Sequence, residues 1–189
     1  VPVEDYEQHF QERHMRQSTA LHSVKIPERR SYLTGPLARL NLCFDQLSPT
    51  AKREAESCGI AWPSQNNFQS IVARAVELVH ACAEARDLID GYRSPREPSV
   101  PSTPRAGIAA WSTEAPRGLL HHRYEVDDRG CVTHAQIVPP TSQNQGAIEA
   151  DLAAFAPSVL DLPQPEAVHR LEMLIRAYDP CISCATHFL

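Results

Sequence analysis

The sequence predicts an α+β fold, mainly α-helical, with a helical core and a small antiparallel β-hairpin subdomain. Two observations carry that reading. Apolar residues recur at helical spacing at Phe68, Ile71, Val72, Ala75, Val79, Cys82 and Ala83, and again at Val168, Leu171, Leu174 and Ile175. Between these stretches, residues 119–126 and 131–138 flank Asp127-Asp128-Arg129-Gly130, a turn in which glycine supplies the unusual backbone angle.

Taken in order, residues 1–30 are polar and rich in charge and histidine. His9, His14 and His22 have no ligand spacing with any cysteine and are expected at the surface or an interface. Ser48 and Pro49 open a short helix, as cap and first residue, and Gly59 stops it. Residues 67–92 form the clearest helix. Its charged positions (Glu77, Glu84, Arg86, Asp87) and a partly buried or surface His80 suggest scaffold rather than chemistry. Residues 93–105 carry Pro95, Pro98, Pro101 and Pro104, every third position, which suits an extended polyproline segment. Such a segment is either a linker or a strap across one folded unit. The strap is preferred because the flanking parts are small for independent stability. Residues 146–155 and 163–178 read as two more helices. The second runs into the Asp179-Pro180 break, so the cysteine segment beyond it is anchored on a packed helix.

Bulk properties narrow the function. A chain of 189 residues suffices for one domain with a real core. A net charge of −5 gives no reason to expect nucleic acid as a partner. No run approaches the ~18 apolar residues of a membrane span, and no signal peptide is visible at Val1. The six cysteines are unevenly spaced apart from the last pair, unlike a disulfide scaffold. Cys43, Cys58, Cys82 and Cys131 are expected to be small buried hydrophobes, in a reducing cytoplasm.

The chemistry lies at the end of the chain, in Asp179-Pro180-Cys181-Ile182-Ser183-Cys184-Ala185-Thr186-His187. Asp179 can N-cap a helical turn with Pro180 in its first position, which places both sulfurs at the positive end of a helix and favours the thiolate. Soft transition metals bind thiolates but want about four ligands, so Cys181 and Cys184 are half a site. A zinc half-knuckle and a redox CxxC remain alternatives, although no further zinc ligands stand out and no strand precedes the motif. His187 would rotate away from Cys181 on a regular helix. Ile182 and Ser183 only shape the turn. Arg117, in Pro116-Arg117-Gly118, can hold a fixed cation over a metal site, or form a structural ion pair with Asp179 or Glu114. Antiparallel pairing of the hairpin brings its outer ends together, Arg117 at one and Pro140 and Thr141 at the other.

Asp179 to His187, together with Glu114-Ala115-Pro116-Arg117-Gly118-Leu119-Leu120-His121-His122 and Ile137-Val138-Pro139-Pro140-Thr141-Ser142-Gln143-Asn144, resembles the large (alpha) subunit of nickel–iron hydrogenases. Tyr32-Leu33-Thr34-Gly35-Pro36-Leu37-Ala38-Arg39 and the segment from Pro63 to Phe68 extend the resemblance to nearly the whole chain. The wording looks most like the cytoplasmic, NAD(P)-linked soluble and sulfhydrogenase branch. The resemblance implies that residues 1–189 are the C-terminal part of that subunit, a fragment or separately numbered segment of its fold. It implies reversible oxidation of dihydrogen at a nickel–iron centre whose iron carries carbon monoxide and cyanide. Cys181 would be a terminal nickel ligand and Cys184 would bridge nickel and iron. His187 and the backbone carbonyl of Ile137 would bind a magnesium or similar ion. Arg117 would hang above the open metal position, with Asp179 holding it. Donors around Pro116, Arg117, Pro140 and Thr141 would hydrogen-bond the cyanides, and His122 would lie behind them. Implied partners are a small subunit with iron–sulfur clusters, flavin and NAD(P)-reducing subunits, a nickel chaperone, and a maturation protease that removes everything after the histidine, here Phe188-Leu189. A degenerate non-catalytic relative and a zinc-binding interaction module are the competing readings. The two cysteines argue against the first.

Overall fold

The computed structural model describes residues 1–186. Its elements are α1 (Tyr6–His9), β1 (Phe10–His14), β2 (Leu21–Lys25), α2 (Pro36–Cys43), α3 (Pro49–Ser57), α4 (Ser70–Gly91), β3 (Gly107–Ala115), β4 (Gly118–Val126), β5 (Val132–Val138), α5 (Pro140–Phe155), α6 (Gln164–Tyr178) and α7 (Ile182–Ala185). The α+β class, mainly helical, stands. β1 and β2 pair antiparallel, and β3, β4 and β5 form a second antiparallel sheet in that order. No helix among the described residues is long and apolar enough to cross a membrane.

The expected hairpin is β4–β5, with Gly130 at φ 78° and the Asp127 carboxylate accepting the N–H groups of Arg129 and Cys131, each at 2.9 Å. A third strand, β3, was not expected. Its sequence alternates poorly and it lies mostly exposed, so it carries little period-two signal. The polar N-terminal stretch also contains strands β1 and β2. Their hairpin packs on α5 and buries His22, which was expected at the surface or an interface.

The helical core joins Leu40 of α2, Ala51 and Ala55 of α3, and Ala73 and Val76 of α4, with Phe44, Leu47, Trp62 and Val79 against it. α3 starts as its sequence requires, with the Ser48 hydroxyl accepting the Ala51 N–H and Pro49 in the first position. In α4 the buried face is Ser70, Ala73 and Val76; Ile71, Ala75 and Cys82, expected in the apolar stripe, are exposed. Small residues here face the core because α2 and α3 approach closely. α5 begins at Pro140, six residues before the expected Gly146, and its first turn is wholly buried. In α6, Leu174, Ala177 and Tyr178 face inward, whereas Val168 is exposed.

Cys43, Cys58, Cys82 and Cys131 are all exposed free thiols. They lie at helix ends, on outer helix faces or beside a turn, so the expectation that they are buried fails. Residues 92–106 lack regular structure and are exposed.

Candidate metal centre

Segments remote in sequence meet at a cavity of about 430 Å3. Pro116, Arg117, Ile137, Pro140, Thr141, Cys181 and Cys184 all line it, with Ala115, Leu120 and Pro139. Every described site residue expected from the sequence lines this cavity except Asp179 and His122. His187 lies outside the described residues.

Backbone register builds the cavity. Ala115 pairs with Gly118, so Pro116 and Arg117 are the tip of a tight β3–β4 turn. His121 pairs with Val138, so the chain leaving β5 returns beside the start of β4 at Pro139 and Pro140. Gln143 secures that return, its side-chain amide donating to the carbonyls of Leu119 and Val138. Asn144 secures a neighbour, accepting the Thr34 N–H at 2.8 Å and donating to the Thr34 carbonyl at 3.1 Å.

The turn after Thr34 then lies directly against the arginine turn. Gly35 has φ 107°, and a Cβ there would stand 2.7 Å from the Arg117 carbonyl oxygen. Gly118 has φ 138°, and its Cβ would enter the Thr34 hydroxyl. Only paired glycines let these backbones approach so closely.

The cysteine turn is held at both ends. The Thr141 hydroxyl oxygen accepts the Cys181 N–H at 3.0 Å, and Cys184 N–H donates to the Cys181 carbonyl at 3.2 Å. Asp179 does not N-cap this turn. It is the left-handed C-cap of α6, at φ 51° and ψ 52°, and Cys181 takes the N-cap position of α7 without a side-chain bond. The reversal at Asp179 ends α6 and frees its carbonyl, which accepts from Arg117 Nε at 2.7 Å. The Asp179 carboxylate also faces Arg117, with Oδ2 3.2 Å from Nε and Oδ1 3.3 Å from Nη2. Arg74 Nε of α4 stands 3.9 Å from Oδ2. Arg117 therefore pairs with Asp179, while Glu114 pairs with Arg39. The Arg117 and Asp179 side chains are each more than a third exposed, so the fixed geometry matters more than the Coulomb energy.

Cys181 and Cys184 are joined as a disulfide with Cα atoms 5.4 Å apart. Both cysteines line the cavity, and reduction makes them a pair of soft donors. Among the described residues no group of three or more His, Cys, Asp or Glu side chains is placed to hold a metal ion. The donors present thus fit half of a four-thiolate set. The same cavity is lined by Arg117, by Thr141, whose hydroxyl holds the Cys181 N–H, and by apolar walls from Leu120, Ile137 and the prolines.

His122 is not among the lining residues; its Nδ1 is 2.8 Å from the Tyr124 hydroxyl. Its neighbour His121 is fully buried, stacked on Tyr6 with ring centroids 4.0 Å apart, and 2.9 Å from the Ser112 hydroxyl. Burial lowers the pKa of His121 and of His22. Sequence reasoning gave no role to Thr34, Gly35, Gln143 and Asn144. Their presence inside the family-like blocks was the available signal.

A profile described as "Nickel-dependent hydrogenase" matches residues 27–187. Among curated proteins, the chain is 31% identical to the beta subunit of the NAD-reducing hydrogenase HoxS of Cupriavidus necator, covering 86% of this chain and 35% of that protein. It is 32% identical to the alpha subunit of sulfhydrogenase 1 of Pyrococcus furiosus, covering 98% and 43%. Among solved structures, an NAD+-reducing [NiFe]-hydrogenase in the H2-reduced state superposes with a TM-score of 0.74 at 26% identity, over 97% of this chain and 42% of that one. The Ni-Fe-Se hydrogenase of D. vulgaris Hildenborough gives 0.64 at 25% identity, over 90% and 38%. The chain therefore spans less than half the length of these relatives. The family profile, the relatives and the shared fold agree: this chain belongs to the nickel-dependent hydrogenase family.

Proposed function

We propose that residues 1–189 act as the C-terminal part of a hydrogenase large subunit, catalysing reversible oxidation of dihydrogen to protons and electrons. The observation that carries the proposal is the meeting of Arg117, Thr141, Cys181 and Cys184 around one cavity. When bound, a nickel–iron centre with carbon monoxide and cyanide on its iron would supply heterolytic cleavage of dihydrogen. Cys181 and Cys184 would hold it, each as a thiolate once reduced. The remaining thiolates would come from residues outside this chain.

The protein's own groups then have distinct tasks. Arg117 presents a permanent cation at the cavity, its orientation fixed by two acceptors on Asp179. Because guanidinium is so hard to deprotonate, its contribution is electrostatic. Thr141 accepts the Cys181 N–H and so keeps its own hydroxyl proton to donate to a bound ligand. Pro116 and Pro140 lack an N–H and serve as rigid, water-excluding walls. Ile137 offers a backbone carbonyl, and His187 an imidazole, to a magnesium or similar divalent ion.

Electrons would pass to iron–sulfur clusters in a small partner subunit, then through flavin subunits to NAD(P). A nickel chaperone and a maturation protease would load and finish the site, in the cytoplasm. The HoxS relative and the similar solved structure, each NAD-reducing by its description, support the NAD(P) branch.

The experiment is substitution in the assembled complex. Cys181→Ser and Cys184→Ser should each abolish stable nickel and iron incorporation. Arg117→Lys should keep both metals and lower hydrogen turnover by roughly 100-fold, the usual cost of a misplaced electrostatic stabiliser. Metal retention in both cysteine variants, or full turnover in Arg117→Lys, would sink the assignment.

A further inference from the structure

Arg39 of α2 does not line that cavity; it lines a neighbouring one, with Ala115 and Pro116, and takes no part in the proposed reaction. Its five N–H donors are all engaged. Nε donates to Glu77 Oε1 at 2.6 Å and Nη2 to Glu77 Oε2 at 2.8 Å, a two-point fork onto α4. Nη1 donates to Glu114 Oε2 at 2.6 Å and to the Ala115 carbonyl at 3.0 Å. Nη2 donates again to the Pro116 carbonyl at 3.2 Å. The two carbonyls belong to the residues immediately before Arg117. Burial disfavours the charge, but the bonds to Glu77 and Glu114 outweigh it, and the guanidinium pKa lies above its ordinary value.

We propose that Arg39 is a positioning residue: by gripping the carbonyls of Ala115 and Pro116 from an anchor on Glu77, it fixes the place from which Arg117 reaches over the cavity. The catalytic part of this rests on the hydrogenase reading; the clamp itself does not. Arg117 is a turn residue, and a turn tip has few backbone partners of its own. Its head is tied to Asp179 and its carbonyl lies against Gly35, but of the two residues leading into it Ala115 is paired in the sheet, to Gly118, and Pro116 lies beyond the paired strand. Lysine cannot replace this device. It brings three donors from a single point and cannot span a carboxylate and two carbonyls together.

The test compares wild type with Arg39→Lys and Glu77→Gln in the assembled complex. One readout is amide hydrogen exchange in residues 114–120. Exchange there should accelerate about 10-fold or more in Arg39→Lys and by a smaller factor in Glu77→Gln, with α5 and α6 unaffected. The other readout is hydrogen turnover, where kcat should fall roughly 10- to 100-fold while KM for dihydrogen and metal content stay within about twofold, as for a displaced catalytic group. A merely structural role would lower metal content and loosen the whole domain instead. If Arg39→Lys does not accumulate, Glu77→Gln decides the matter alone by the same local acceleration. Exchange in residues 114–120 equal to wild type, or locally faster exchange with unchanged kcat, would overturn the proposal. A wild-type complex without nickel or turnover would refute the hydrogenase reading, and the exchange readout would still decide whether the clamp exists.

Discussion

Asp179 shows how one residue's backbone and side chain serve different ends. Its left-handed conformation turns the chain from α6 into the cysteine turn, and that reversal presents both its carbonyl and its carboxylate to Arg117. The sequence marked Asp179, Arg117, Cys181 and Cys184 as belonging together, because few residue types can do their chemistry. It could not distinguish an N-cap from a left-handed C-cap, since Asp favours both. The four other cysteines were misplaced because cysteine's average tendency to be buried says nothing about any one position. Gly35 makes the strongest single-residue prediction. Gly35→Ala adds a Cβ to a backbone at φ 107° and drives it to within 2.7 Å of the Arg117 carbonyl oxygen. It should destabilise the chain by roughly 1–3 kcal/mol, the cost of one strained backbone position. Urea denaturation measures this, and a loss below about 0.5 kcal/mol, typical of a neutral surface change, would contradict the close approach.

At the scale of elements, local chemistry was more legible than packing. α3 declared its start through Ser48 and Pro49, and Ser48→Ala should cost about 1 kcal/mol in a thermal or denaturant melt, the ordinary value of a hydroxyl cap. The turn at Asp127 to Gly130 was equally plain. α4 was found, but its inward face was misassigned. Larger apolar residues define a stripe in sequence, whereas here Ser70, Ala73 and Val76 face the neighbours and Ile71, Leu78, Leu88 and Ile89 face outward. Such a pattern cannot be read without knowing how closely α2 and α3 approach. β3 went unseen because an exposed strand needs no alternation. The start of α5 was placed late because Pro140 to Asn144 look like loop chemistry. Burial of that polar turn follows from its work, since Thr141, Gln143 and Asn144 each tie a different segment to the cavity.

For the whole molecule, the sheet and the N-terminal hairpin enclose two imidazoles. His22 and His121 are held below the ordinary histidine pKa, chiefly by burial. The folded chain keeps them neutral, whereas the unfolded chain takes up protons as pH drops below about 6.5. Their contribution is therefore complete above that pH and lost as pH falls through it toward the lowered folded values. The melting temperature should drop between about pH 7.5 and pH 5.5, and the His22→Gln, His121→Gln double variant should flatten that slope. An unchanged slope in the variant would show that other groups govern the acid response. The gathering of Arg117, Thr141, Cys181 and Cys184 at one cavity was legible because their blocks are each specific, yet among the described residues no group of three or more His, Cys, Asp or Glu side chains is placed to hold a metal ion. The most direct test of the central claim is metal analysis with infrared spectroscopy on the chain purified together with its native neighbours. Nickel and iron in equal amounts, with bands from bound carbon monoxide and cyanide, is the predicted result. Zinc alone, or no metal in a fully assembled complex, would contradict it.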